Sequence, residues 1–246
     1  ELADPPAVEV QATRPLRFEV RPKHREIRSD LGLGPQTYAR WYLHEYLPDA
    51  PRAIWLDTDT IVRADLGPLY RMRMRHPLAA AFDVPGWTHG QEMATLLAEG
   101  LDSELVHYFR HPDDRPLNSG VFVVDLERWR AEAVAESLEQ LTIAFEGYRW
   151  DKLPMQLRFQ DGFDLLDSRW NRLHLGALPH GGLPGHCIDW AHILHWSHAI
   201  RKPWHHRGSA VRAPHDDIFE AFSPRDDLCA HVFSHPGPKN RHPDSK

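Results

Sequence analysis

Two carboxylates one residue apart, Asp57 and Asp59, directly follow the short apolar run Ala53-Ile54-Trp55-Leu56. Residues two apart in extended chain project to the same side, so both side chains can converge on one cation. An all-oxygen pair suits a hard divalent ion, Mg²⁺ or Mn²⁺, which would bridge the protein to a diphosphate. The competing reading has Asp57 capping a strand-to-helix turn and Asp59 merely solvated. Spacing alone does not choose between the two.

The elements around this pair give it a setting. Residues 16–20 alternate apolar and charged side chains with period two, as a half-buried strand does. Pro35 stands where a helix takes its first residue. Tyr38, Trp41, Tyr42, Tyr46 and Leu47 then mark an apolar face of about three turns up to Pro48. The runs 53–56, 78–82 and 121–124 read as strands covered on both faces, and residues 66–74, 91–99 and 126–145 read as helices. In the last of these, Leu126, Trp129, Ala133, Leu138 and Leu141 keep helical spacing. Strands alternating with helices predict an α/β domain with a mostly parallel sheet, whose ligands bind beyond the carboxyl ends of the strands. After Asp161 the chain becomes rich in loops, until the apolar patch Ile193-Leu194-His195-Trp196.

Bulk composition narrows the possible partners. The 246 residues are 41% hydrophobic and 26% charged, which fits one globular domain. A net charge of −6, with no basic stripe, speaks against nucleic acid. Cys187 and Cys229 allow one bridge but neither a disulfide framework nor a cysteine zinc site. The 18 histidines are scattered, with no metalloprotease spacing. No run of 18 apolar residues occurs, so this segment is expected to make no membrane contact.

Further motifs stand in a definite order along the chain. They are Thr37-Tyr38-Ala39-Arg40, the stretch from Ala53 through Asp57-Thr58-Asp59 to Val62, Asp65-Leu66, Leu117-Asn118-Ser119-Gly120-Val121-Phe122, Trp170-Asn171, and His195 followed by Lys202-Pro203-Trp204. From about residue 16 to residue 204 the chain resembles glycosyltransferase family 8, with details similar to the animal glycosyltransferase 8 domain-containing proteins. The resemblance implies a GT-A type, Rossmann-like domain with a mostly parallel central sheet flanked by helices. The implied boundaries are a flexible segment 1–15, a catalytic domain 16–224 that is incomplete at its N-terminus, and a polar tail 225–246.

The same resemblance implies metal-dependent, retaining transfer of a hexose or related sugar from a UDP-sugar to a glycan, protein or lipid acceptor. His195 would join Asp57 and Asp59 as third ligand of Mn²⁺ (or Mg²⁺), and imidazole suits the transition metal better. Otherwise His195 is a core histidine on an apolar strand. Tyr38, Arg40, Thr58, Asn118, Ser119 and Lys202 would serve the donor. Among them, Arg40 would also pair with Asp57, and Lys202 would set its charge on the diphosphate. Read singly, Arg40 and Lys202 are surface charges, and Asn118 and Ser119 are turn residues beside Gly120. Asp151 is the candidate catalytic carboxylate. It is all that remains of the family's acidic and amide cluster, in Trp150-Asp151-Lys152-Leu153-Pro154. The segment from His195 to Lys202 is one residue longer than usual and lacks glycine, so either a bulge keeps both side chains on the site or the Lys202 contact is lost, with His198 a substitute. The Golgi lumen is expected because the similar animal proteins are anchored there, and the cytoplasm otherwise. Two alternatives are a degenerate domain that binds nucleotide sugar or glycan without turnover, and a haloacid-dehalogenase-type phosphohydrolase with Asp57 as nucleophile.

Overall fold

The structure is a computed structural model that describes residues 35–83, 86–145, 151–176, 188–197, 202–205 and 213–222. The strand expected at 16–20, the terminal segments 1–15 and 225–246, both cysteines and His198 lie outside the described residues. A 3-10 helix, Pro35–Tyr42, runs into one α-turn, α1 (Leu43–Tyr46). The apolar face predicted for an α-helix is therefore wound more tightly. Tyr38 and Trp41, which are three apart and so nearly eclipsed in a 3-10 turn, meet edge to face at 4.8 Å.

The remaining strands and α-helices are β1 (Arg52–Leu56), β2 (Thr60–Val62), α2 (Gly67–Tyr70), β3 (Leu78–Phe82), α3 (His89–Ala98), β4 (Leu117–Asp125), α4 (Leu126–Ala131), α5 (Val134–Ala144), α6 (Lys152–Arg158), β5 (Asp164–Leu165), β6 (Ile193–His195) and α7 (Asp216–Phe222). A main sheet has the order β1-β4-β3-β5, and a two-stranded sheet joins β2 to β6. β4 is antiparallel to both β1 and β3, β5 is parallel to β3, and β2 is antiparallel to β6. The expected mostly parallel sheet therefore holds for direction, since β1, β3 and β5 point the same way. It fails for pairing among the described strands, because β4 runs reversed through the middle. Hydrophobic periodicity reports burial and carries no information about strand direction, which is why it missed this.

β4 is buried from Leu117 to Val124 because both of its faces are covered. Phe122 and Val124 pack with Trp41, Trp129 and Leu138 of the helical layer, while Val121 and Val123 pack with Leu69, Leu166 and Ile193 on the other side. The apolar run of β1 predicts cover on both faces, but the strand is mostly half-buried, and among the described strands it stands at the edge of its sheet.

The helix expected at 66–74 is only the single turn α2, and two further helix readings change. The stretch 126–145 is broken between α4 and α5 at Ala133, which sits in the left-handed region with φ 48°. The break lets Leu126 and Trp129 on one side, and Val134 and Leu138 on the other, face the same core. α6 was not foreseen because it contains Pro154, yet that proline lies in the first turn, where a helix amide has no partner to lose. α6 buries Leu153, Pro154, Met155, Gln156 and Leu157, and its first residue, Lys152, carries its charge toward the site.

Candidate metal and donor site

β1 delivers the chain to Asp57, whose N–H bonds the Gly120 carbonyl at 2.8 Å and so extends the ladder with β4 by one rung. The chain then turns. Thr60 Oγ1 donates to the Asp57 carbonyl at 2.7 Å, and Trp196 N–H donates to the Asp59 carbonyl at 3.0 Å. Asp57 and Asp59 therefore converge across a tight turn between β1 and β2, and not along extended chain as their spacing predicted. Thr58 is exposed at the tip of that turn. β6 pairs with β2, placing His195 opposite Thr60 and its ring, fully buried, against both carboxylates.

One ligand atom from each of Asp57, Asp59 and His195 lies within 4.8 Å of the other two. His195 Nε2 stands 3.3 Å from Asp59 Oδ1 and 4.0 Å from Asp57 Oδ2. The outer oxygens are tethered elsewhere. Asp57 Oδ1 accepts from Arg40 Nη2 at 2.9 Å and from Trp55 Nε1 at 2.8 Å, while Asp59 Oδ2 accepts from Lys202 Nζ at 2.7 Å. Burial alone would push the Asp59 carboxyl up, but when the His195 ring is protonated its hydrogen bond and charge, together with the charge of Lys202, outweigh this and hold it below the usual carboxylate range. Each carboxylate thus keeps one oxygen on a protein cation and turns the other toward Nε2.

Gly120 forms the floor of this cluster. A Cβ there would lie 2.3 Å from His195 Cε1, 2.7 Å from Asp57 Oδ2 and 3.0 Å from His195 Nε2. Only glycine lets β4 approach this closely.

The expected donor residues surround the cluster unevenly. Arg40 is a buried clamp: Nη1 donates to the Ser119 carbonyl at 2.6 Å and pairs with Asp151 at 3.2 Å, Nε donates to the Thr37 carbonyl at 3.0 Å, and the guanidinium lies over Trp55. The expected pair with Asp57 is present, and the remaining contacts tie the guanidinium into the protein. Ser119 contributes its carbonyl to this clamp. Asp151 is buried, and burial raises its carboxyl. The charge of Asp57 raises it further, and Arg40 opposes both. The Tyr38 hydroxyl is also raised, by burial and by the charge of Asp151. Lys202 reaches Asp59 and the Trp196 carbonyl, so its contact with the site persists across the lengthened segment.

Sequence reasoning missed two neighbours. Asp83, directly after β3, accepts from Asn118 Nδ2 at 3.2 Å and pairs with Lys152 at 3.0 Å. Asn171, noted only as part of a motif, sets its Oδ1 2.8 Å from His195 Nδ1. An Asp following a buried strand was the signal used for Asp57, and it applies equally to Asp83. A cavity of about 480 Å³ beside α6, lined by Phe82, Phe159, Gln156 and others, includes none of the Asp57, Asp59 and His195 cluster.

This arrangement, an α/β sheet with a carboxylate and imidazole cluster beyond the carboxyl end of β1, has the form of a GT-A domain. The model of the family "Glycosyl transferase family 8" matches residues 7–208, and the chain belongs to that family. It is 29% identical over 214 residues to glycosyltransferase 8 domain-containing protein 1 of Xenopus tropicalis, covering 77% of this chain and 57% of that protein. It is also 29% identical over 199 residues to the probable galacturonosyltransferase-like 3 of Arabidopsis thaliana, covering 76% and 55%. The chain therefore spans somewhat more than half the length of these relatives. Among solved structures, the galactosyltransferase LgtC, crystallised with donor and acceptor sugar analogs, superposes with a TM-score of 0.54 at 19% identity over 81% of this chain and 72% of that one. The bifunctional glycosyltransferase WbbM superposes with a TM-score of 0.59 at 18% identity, over 81% and 37%. Membership of this family leaves the phosphohydrolase alternative without support.

Proposed function

We propose that this domain transfers a sugar, with retention at the anomeric carbon, from a UDP-sugar to a glycan, protein or lipid acceptor, using a divalent cation held by Asp57, Asp59 and His195. The observation that carries the reading is the convergence of three ligand atoms within 4.8 Å above Gly120. Two carboxylate oxygens and one imidazole nitrogen form a donor set that suits Mn²⁺ better than Mg²⁺, and the absence of a Cβ at Gly120 preserves the room they share. The cation would supply Lewis-acid stabilisation of the negative charge on the departing diphosphate.

The chain's own groups do the remainder. Arg40 fixes which oxygen of Asp57 turns inward, and Lys202 does the same for Asp59. Because Lys202 reaches Asp59 from the segment after β6, it also sits where its ammonium can transfer to a diphosphate bound across the cluster. Tyr38, Thr58, Asn118 and Ser119 are assigned to the donor by the motifs that carry them. Asp151, shielded behind Arg40, is assigned to shaping the sugar site. No side chain is assigned as nucleophile. The departing phosphate would take the acceptor's proton on the same face, which accounts for retention. A Golgi-lumen location of the full-length protein is part of this proposal, and the resemblance to the animal proteins is what supports it.

The test is a screen of UDP-sugars for Mn²⁺-dependent hydrolysis or transfer by the full-length protein, with the anomeric configuration of the product read by NMR. A retained α-product that disappears on chelation is expected. Tight Mn²⁺-dependent UDP binding without turnover of any sugar would replace this reading with a binding domain, and activity indifferent to chelation would remove the cation from it.

A further inference from the structure

His195 is reached from behind by a chain of buried amides that touches neither carboxylate of the cluster. The oxygen and nitrogen of an amide are told apart by their partners, and here the partners leave one arrangement. The backbone N–H of Gly120 can only donate, and it points at Asn118 Oδ1 at 3.0 Å. The Asp83 carboxylate, paired with Lys152, accepts from Asn118 Nδ2 at 3.2 Å. Asn118 is therefore fixed from both ends. Its Oδ1 also receives Asn171 Nδ2 at 2.9 Å, which turns Asn171 Oδ1 toward His195 Nδ1 at 2.8 Å. An amide oxygen only accepts, so Nδ1 carries the hydrogen. A neutral imidazole has one N–H, which leaves a lone pair on Nε2, the nitrogen that faces Asp59 and Asp57. In the other tautomer two acceptors would meet at Nδ1 with nothing to join them, whereas the acceptors that meet at Nε2 are the ones a bound cation would join. Turning both amides over to relieve this would set the Gly120 N–H against an NH₂ group and the Asp83 carboxylate against a carbonyl oxygen.

We propose that Asn118 and Asn171 are positioning residues that lock His195 in the tautomer presenting an unprotonated Nε2 to the cation, with the Gly120 amide and the Asp83 carboxylate as the two anchors of the lock. The proposal rests on the metal-site reading above and deepens it. Asn118, assigned to the donor sugar from its motif, thereby has a second task that uses its side-chain oxygen and one of its N–H groups. Outer partners of this kind set ligand orientation, and losing one typically weakens metal binding about 10- to 100-fold.

Two measurements on the full chain test the lock. The first reads the ¹⁵N shifts of the His195 ring without metal, at a pH where the imidazole is neutral, and the expected result is hydrogen on Nδ1. The second titrates Mn²⁺ alone into the wild type, Asn171→Leu and Asn171→Asp, alongside thermal unfolding of each without metal. Asn171→Leu, similar in size but with no acceptor, is expected to bind Mn²⁺ about 10- to 100-fold more weakly. Asn171→Asp keeps an acceptor opposite Nδ1 and is expected to bind within a few-fold of wild type, although its buried carboxylate faces Asn118 Oδ1 and makes it the less stable of the two. A merely structural role would rank affinity with stability, and the lock ranks them in opposite order. Asn171→Leu binding as tightly as wild type, or hydrogen on Nε2 in the wild type, overturns the proposal. A wild-type ring with hydrogen on Nδ1 but no affinity for Mn²⁺ would support the lock and overturn the metal-site reading instead.

Discussion

β1 and β3 run in the same direction on either side of β4, and each hands the chain to an aspartate, Asp57 and Asp83, whose amide extends the sheet ladder by one bond. The two carboxylates then differ. The Asp83 side chain is 1% exposed, with Oδ1 on Asn118 and Oδ2 on Lys152. That of Asp57 is 27% exposed, with Oδ1 on Arg40 and Trp55 and Oδ2 turned toward His195. The strands they follow are also placed differently. Among the described residues β1 is an edge strand, whereas β3 lies between β4 and β5. The same local signal, an Asp after an apolar strand, gives a buried anchor after β3 and an available ligand after β1.

The largest effect should come from removing that ligand. Asp57→Asn and Asp59→Asn are each expected to abolish Mn²⁺-dependent UDP binding by calorimetry. Like-charge repulsion alone would leave stability without metal unchanged or improved in these variants. Arg40 and Lys202 already compensate both carboxylates, however, so each substitution is expected to lower stability by about 1 kcal/mol. UDP binding that stays as tight and as Mn²⁺-dependent in both variants would break the comparison. Next, Gly120→Ala reaches the Asp57 end from below without touching Asp83. Its methyl group must displace the His195 ring or the Asp57 carboxylate, and a loss of Mn²⁺ affinity of about 100-fold is expected, with an overpacking cost of about 1–3 kcal/mol in thermal unfolding.

Asp83→Ala should show the opposite profile. It strands Asn118 Nδ2 and the Lys152 ammonium, and because Lys152 reaches water the cost is expected near 2 kcal/mol in denaturant unfolding. Mn²⁺ affinity should change only a few-fold, since the Gly120 amide still orients Asn118. The smallest effect is expected from Lys202→Ala. Without the ammonium on Asp59, Mn²⁺ alone should bind slightly more tightly, while the complex of Mn²⁺ with UDP binds more weakly. Both shifts are measurable in paired titrations.

Much of this was legible in the sequence. The apolar runs located β1, β3 and the buried part of β4, and the resemblance assembled Asp57, Asp59 and His195 although β6 lies far along the chain from β1. What was not legible depends on tertiary position. The break at Ala133 has no glycine or proline to announce it, and α6 was hidden by a proline that its first turn tolerates. Asp83 carries the same signal as Asp57 but without a second carboxylate beside it. The role of Asn171 arises only because the Arg172 amide bonds the Ile193 carbonyl and docks that segment on β6, behind the histidine. The turn that brings the two aspartates together also contradicted the extended geometry expected of them.

The reversed β4 has a consequence for the order in which the molecule assembles. β4 meets β3 across a much shorter stretch of chain than separates it from β1, so the β3–β4 pair closes the smaller loop and is expected first. Gly120 faces Asp57 only after β1 has docked, and His195 arrives with β6, near the end of the described chain. The three ligands are thus absent from any early nucleus. A cation that binds them acts on the finished molecule: Mn²⁺ should slow unfolding in proportion to its affinity and leave the refolding rate where it was.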